Sequence, residues 1–180
     1  LVPPLARRLL TGGREDAGMI PASGAILYCD LAGFSRRGAK AIARSERGAE
    51  TLRADINATF ETVGRAIADH GGAILYYAGD AVAAFWQDES ADASAVGAAR
   101  AAGRAVQRAI RAADPGQVMR AGVTRGDLWL LNLEVASGGR VPVFCGPALN
   151  ALSGLALRAD GVGLCPAATA LAGPDATTVA

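Results

Sequence analysis

Apolar side chains gather along this chain in short runs and in longer periodic stretches, and the two patterns alternate. Ala25-Ile26-Leu27-Tyr28-Cys29 is a five-residue run bounded by Gly24 and Asp30, too short for a helix and suited to a buried strand. From Phe34 to about His70 the period changes. Leu52, Ile56, Phe60, Val63 and Ile67 recur at steps of 4, 4, 3 and 4, the stripe of a helix with one buried face. Gly71-Gly72 ends that helix, since glycine accepts the left-handed backbone found at helix C-termini. Two more runs follow, Ala73 to Ala78 and Ala81 to Trp86, with only Gly79-Asp80 between them, which predicts a tight hairpin.

The second half repeats the alternation. Ala91 to Ala113 reads as a helix with Val96, Ala99, Gly103, Val106 and Ile110 on one side, stopped by Asp114-Pro115-Gly116. Val118 to Thr124 and Leu128 to Leu133 read as two strands joined around Arg125-Gly126-Asp127. After Ser137-Gly138-Gly139 come a strand at Val141 to Cys145, a helix from about Pro147 to Arg158 and a strand at Val162 to Cys165. Hairpins mixed with helical crossovers predict an α+β fold: a ferredoxin-like βαββαβ core with extra strands, its mixed or antiparallel sheet carrying helices on one face. Residues 1–23, broken by Pro3, Pro4, Gly12, Gly13 and Pro21, read as a lead-in, and 24–175 as the domain.

Composition narrows the partners. The 180 residues are 51% apolar and carry a net charge of +1, which suits one globular core and argues against gripping nucleic acid or an anionic membrane by bulk charge. No run approaches the roughly 18 apolar residues of a membrane span, so no membrane insertion and a cytoplasmic location are expected. Cys29, Cys145 and Cys165 are odd in number and lie in apolar runs, the pattern of reduced, buried thiols. Lys40 is the only lysine. The absence of an initiating Met suggests an excerpt of a longer polypeptide.

Two carboxylates stand at special places: Asp30 directly after the first strand and Asp80 in the hairpin turn. Singly, each is accounted for as a helix cap or a turn residue. If the first two strands are neighbours, however, both acids lie at one sheet edge, where paired carboxylates favour a hard divalent cation such as Mg²⁺ or Mn²⁺. Gly33, three residues after Asp30, opens the following helix and frees backbone N–H groups for a phosphate. Together these elements outline a metal and triphosphate site.

Cys29-Asp30-Leu31-Ala32-Gly33-Phe34-Ser35 resembles the "DIxGFT" motif of class III nucleotidyl cyclases, and Gly71 to Trp86 resembles their "GG...K..GD...A.F" hairpin. The likeness is closest to the first catalytic domain of the soluble, bicarbonate-responsive adenylyl cyclases and their bacterial relatives. Arg120 to Asp127 is similar to the family's "R.GI..G.V" strand pair. The resemblance implies that Asp30 and Asp80, with the backbone carbonyl of Leu31, hold two Mg²⁺ or Mn²⁺ ions. It also implies that Gly33, Phe34 and Ser35 donate to the phosphates of ATP or GTP. One ion would activate the ribose 3′-hydroxyl and the other steady the departing pyrophosphate.

The departures from the family pattern matter as much. The lysine that reads the purine aligns with Tyr76, and the second base contact with Val143. Of the transition-state Asn and Arg, Asn150 matches the first, whereas Gly154 stands at the second. The resemblance places such sites between two domains, so the expected partner is a second cyclase domain, in tandem or as a homodimer, with the homodimer nearly silent. The alternative is a catalytically degenerate cyclase homology domain that binds nucleotide or dimerises to regulate attached domains.

Other residues have simpler readings. His70 reads as a helix-end residue, Arg36, Arg37, Lys40, Arg44 and Arg47 as a solvated basic face, and Trp86 and Trp129 as packing. No P-loop motif is present.

Overall fold

The computed structural model describes residues 19–33, 48–88, 94–134, 136, 140–155 and 157–165. Its elements are β1 (Met19–Leu31), α1 (Gly48–Asp69), β2 (Ala73–Ala78), β3 (Ala81–Gln87), α2 (Ser94–Ala113), β4 (Met119–Glu134), β5 (Arg140–Cys145), α3 (Pro147–Asn150) with a 3₁₀ turn over Ala151–Gly154, and β6 (Val162–Leu164). One mixed sheet of six strands runs β2-β3-β1-β4-β5, and β6 pairs in parallel with β4. The α+β reading and its ferredoxin-like core therefore hold. No helix among the described residues is long and apolar enough to cross a membrane.

Strand alternation separates two apolar layers. Ala25, Leu27, Cys29 and Leu31 of β1 join Val63 and Ile67 of α1 and Val96, Ala99, Val106 and Ile110 of α2 in the larger cluster. Both long helices thus cover one face of the sheet. Ala22 and Ile26 face the other way, with Leu75, Ala83, Phe85, Leu128 and Ala148. Cys29 is fully buried, and burial ahead of the neighbouring Asp30 charge pushes its thiol up to about 12. Such a thiol stays protonated and inert at neutral pH.

Three expectations need correction. Arg125-Gly126-Asp127 is no turn, for β4 runs unbroken through it. Arg125 reaches Asp88 at 2.6 Å and Asp127 accepts a hydrogen bond from Ser23 at 2.5 Å, so the polar residues that look like a loop are satisfied across the sheet. The first strand begins at Met19, inside the expected lead-in. Pro21 is tolerated there because β3 pairs with β1 only from Gly24 onward, so β4 alone flanks Pro21. Finally, the expected helix at 147–158 lasts only four residues before its 3₁₀ turn, in keeping with the poor helix propensity of Ser153-Gly154.

Other outliers of pattern are packing features. A Cβ on Gly103 would lie 2.9 Å from Val162 Cγ2 and 3.1 Å from Leu27 Cδ1, so the gap in the α2 stripe admits two side chains from the sheet. His70 Nδ1 donates to the Ala66 carbonyl at 2.8 Å, and Trp86 Nε1 donates to the His70 carbonyl at 2.7 Å. Both are structural.

Gly24 lies in β1 where an added Cβ would collide with the Trp86 carbonyl oxygen and stand 2.8 Å from the Phe85 ring. Gly24→Ala should cost about 1–3 kcal/mol. Gly97→Ala, in a helical position with open space around it, should stabilise by about 0.5–1 kcal/mol. Urea unfolding midpoints of the two variants will move in opposite directions if this packing is right.

Candidate active site

β1 carries the candidate site on its last residues. Asp30 pairs with Ala81 of β3 on one side and Arg120 of β4 on the other. Alternation turns its side chain to the face opposite the long helices, together with Tyr28. β3 lies between β1 and β2, so the first two strands are not neighbours as expected. Asp80 nevertheless reaches the same edge, because it immediately precedes Ala81 in the β2–β3 turn, where Gly79 takes the positive φ of 64°. The Leu31 N–H donates to the Asp80 carbonyl at 3.2 Å, and the Ala32 N–H donates to the Val118 carbonyl at 2.8 Å. These bonds tie the end of β1 to the segments on both sides.

Electrostatics agree with that juxtaposition. The Tyr28 phenol is raised above its ordinary value, first by burial and then by the negative charges of Asp30 and Asp80. One phenol therefore senses both acids. Tyr76 pairs with Ala83, which pairs with Tyr28, and its own phenol is raised by burial and by Tyr28. A bulge at Leu75 sets this register. Tyr76 consequently shares the site's face, while Tyr77 turns to the helices and meets Phe60 edge-on at 4.9 Å between ring centroids.

Arg120 is the residue that sequence reading missed. Its Nε donates to Asp30 Oδ2 at 3.1 Å and its Nη2 contacts the same oxygen. The arginine was visible only as the start of a strand motif, and its partner lies 90 residues away, a pairing that depends on sheet register. With side-chain exposures of 47% for Arg120 and 18% for Asp30, the guanidinium is half solvated and the carboxylate mostly covered. The guanidinium can therefore return to water on leaving, whereas the carboxylate would need another cation in its place.

The other candidates divide into two places. Gly33 follows β1 in an exposed turn with φ 74°, beside the two acids. Phe34 and Ser35, like the basic cluster at residues 36–47, lie outside the described residues. Val143 pairs with Leu131, which pairs with Met19 at the far end of β1. At about 3.3 Å per residue that is roughly 40 Å from Leu31. Asn150 closes α3 with its N–H on the Gly146 carbonyl at 3.1 Å. Ala148 of the same helix would meet a Cβ on Gly126 at 3.4 Å, midway along β4. One chain thus brings together Asp30, Leu31, Gly33, Tyr76 and Asp80, and leaves Val143 and Asn150 elsewhere.

The donor set fits a hard divalent ion. No group of three or more His, Cys, Asp or Glu suited to a metal occurs among the described residues. An ion at this edge would take its oxygens from two aspartates, backbone, water and substrate, the habit of Mg²⁺.

No protein-family model and no curated protein matches the chain. Solved structures do. The adenylyl cyclase CyaB from P. aeruginosa is 20% identical with a TM-score of 0.69, covering 86% of this chain and 82% of that one. The guanylate cyclase domain of RhGC from Catenaria anguillulae, solved in complex with GTP, is 14% identical with a TM-score of 0.68 and coverages of 86% and 84%. A class III adenylyl cyclase-like ATP-binding protein from Pseudomonas aeruginosa is 18% identical with a TM-score of 0.64, covering 86% of this chain and 36% of that one. The chain has the fold of class III cyclase catalytic domains, shared by adenylyl and guanylyl enzymes.

Removing either acid should release Tyr28. Asp30→Asn or Asp80→Asn deletes a negative charge that opposes phenolate formation, so Tyr28 titrates at lower pH in each variant, while burial keeps it above the ordinary value. Ultraviolet difference titration over pH 8–13, with Tyr76→Phe/Tyr77→Phe to isolate the signal, reads this out. The raised folded-state value stabilises the fold below the unfolded phenol's pKa near 10 and is lost as pH rises through the folded value. An unchanged Tyr28 titration in both variants refutes the shared edge.

Proposed function

We propose that this chain is the metal-bearing half of a class III nucleotidyl cyclase, converting ATP to 3′,5′-cyclic AMP and pyrophosphate at an interface with a complementary cyclase domain. The reading rests on the meeting of Asp30 and Asp80 at one edge of a cyclase-fold sheet. Asp30, Asp80 and the Leu31 carbonyl would hold two Mg²⁺ or Mn²⁺ ions, which when bound supply Lewis-acid stabilisation of the attacking and departing oxygens. In the reaction the ribose 3′-oxygen bonds to the α-phosphorus, the bond to the pyrophosphate oxygen breaks, and the 3′-hydroxyl proton leaves to solvent.

The remaining work falls to the chain's own groups. Arg120, released from Asp30 when the carboxylate turns to a cation, can aim its fork at phosphate oxygens, the geometry guanidinium suits best. The turn at Gly33 offers backbone donors beside it. Tyr76 supplies a neutral hydroxyl where the family has a cationic base reader, so it can hydrogen-bond a purine but adds no charge. Asn150 and Val143 would serve the opposite half-site, and the exposed apolar residues Met19, Leu133 and Val141 at that end suit burial against a partner.

A second reading is favoured by the sequence itself. With Tyr76 and Gly154 in place of the family's Lys and Arg, the chain is a nucleotide-binding or dimerising regulatory module, and one structural neighbour is described as a cyclase-like ATP-binding protein. The full-length protein, assayed with Mn²⁺ and ATP, separates the two. Catalysis predicts cyclic nucleotide formation that falls about 100-fold or more in Asp30→Ala and in Asp80→Ala. Mn²⁺-dependent ATP binding without turnover, lost in Asp80→Ala, supports the regulatory module. Output that ignores both substitutions defeats the metal assignment.

A further inference from the structure

Helix α2 has an unusual charge pattern. Its 20 residues contain four arginines, Arg100, Arg104, Arg108 and Arg111, and no acidic residue. A solvated helix face normally mixes signs, as α1 does, where Arg65 pairs with Glu61 at 2.7 Å. Arg104, Arg108 and Arg111 follow one another at helical spacing, and all three line a single cleft of about 290 Å³ closed on its other side by Ala159, Asp160 and Gly161. Arg104 and Arg108 have no ion-pair partner among the described residues, and Arg111 Nη2 donates only to the Ala159 carbonyl at 3.4 Å.

The opposite wall is fixed from below. Gln107, 9% exposed, sends its Nε2 to the carbonyls of Arg158 and Gly161 at 2.8 Å each and of Met119 at 3.3 Å. A buried amide spent on loop carbonyls holds residues 158–161 at a set distance from the arginine row. Asp160, the one acid lining the cleft among the described residues, is already engaged: Arg158 Nε donates to its Oδ1 at 3.0 Å and Nη2 to its Oδ2 at 2.8 Å. The rim therefore keeps a net excess of three positive charges. The cleft lies on the helix-covered side of the sheet, away from the face that bears Asp30 and Tyr28.

We propose that this cleft is a second anion site, taking a small polyphosphate, either free or as the tail of a nucleotide. Guanidinium groups pair with phosphate oxygens through two parallel N–H bonds, and three in a row at helical spacing match a chain of two or three phosphate groups. The volume is at the small end of ligand pockets, and three arginines do not make the extended basic track that a nucleic-acid strand needs. The proposal does not depend on the cyclase reading.

The test uses the full chain in 150 mM NaCl with EDTA, so that no divalent ion recruits phosphate to Asp30 and Asp80. Calorimetric titration with inorganic tripolyphosphate should give one saturable site, unchanged in Arg120→Gln. Arg104→Gln/Arg108→Gln removes two exposed side chains, so circular dichroism should stay native while affinity falls roughly tenfold or more. Arg104→Lys/Arg108→Lys, which keeps charge without the fork, should lose less. ATP that binds more tightly than tripolyphosphate assigns the site to nucleotides, and equal binding assigns it to the phosphate chain alone. The proposal is overturned by absent saturable binding, by equal affinity in the Gln/Gln variant, by loss in Arg120→Gln, or by preference for an RNA oligomer of matched charge.

Discussion

The register of β1 between β3 and β4 governs where every chemical group of this molecule stands. Thirteen residues of β1 pair with β4 and seven with β3, and a slip of one residue on either side would exchange its buried and open faces. In the observed register Leu27, Cys29 and Leu31 enter the helix-covered core while Tyr28 and Asp30 face outward. The Leu31 N–H on the Asp80 carbonyl then couples the end of that strand to the hairpin turn. A carboxylate pair separated by 50 residues thus becomes a property of one strand's alternation, enforced by the cost of exposing the core rather than by attraction between the acids, which repel.

The two cross-sheet ion pairs show how placement sets strength. Arg125 and Asp88, with side chains 32% and 10% exposed, sit in a partly desolvated position, and Asp88 Oδ1 is buried with no hydrogen-bond partner among the described residues. Separating them would leave a charge stranded in low dielectric, a costly act. Arg120 and Asp30 are more solvated, so water and salt screen their attraction. The first pair locks the β3–β1–β4 alignment at its far end. The second is more open to solvent, as the proposed function, with cations and phosphates exchanging at this edge, would require.

How much of this was legible in the sequence follows from the range of the interactions involved. Runs and stripes gave the elements because burial is local in pattern: the Gly79-Asp80 turn and the α1 and α2 stripes stand close to where periodicity puts them. Arg125-Gly126-Asp127 misled because polar residues within a strand look like a loop until their partners, Asp88 and Ser23, are brought alongside. Asp30 and Asp80 were found as a pair through a mistaken neighbour relation, since β3 intervenes, yet the turn lies at the same end of the sheet as the end of β1. Arg120 was invisible as a partner of Asp30, for nothing in its neighbourhood signals a register with a strand 90 residues earlier.

The division of the site along the sheet has a physical consequence. A sheet about 40 Å from Leu31 to the Val143 end cannot fold one end onto the other, so under the proposed function groups at its two ends would serve one nucleotide only across an interface between two such sheets. Antiparallel placement of two chains would set the acid end of one beside the Val143 end of the other, giving their interface two half-sites. On that reading the acid end keeps both carboxylates, a guanidinium and a glycine turn, while Tyr76, on the same face as the acids, and Gly154 stand where the resemblance implies a cation. Two copies would therefore leave both half-sites short of the same charges, and a single complementary partner bearing those cations would complete one of them. On the proposed function, that charge deficit, more than any missing acid, would make the identity of the partner decisive for chemistry.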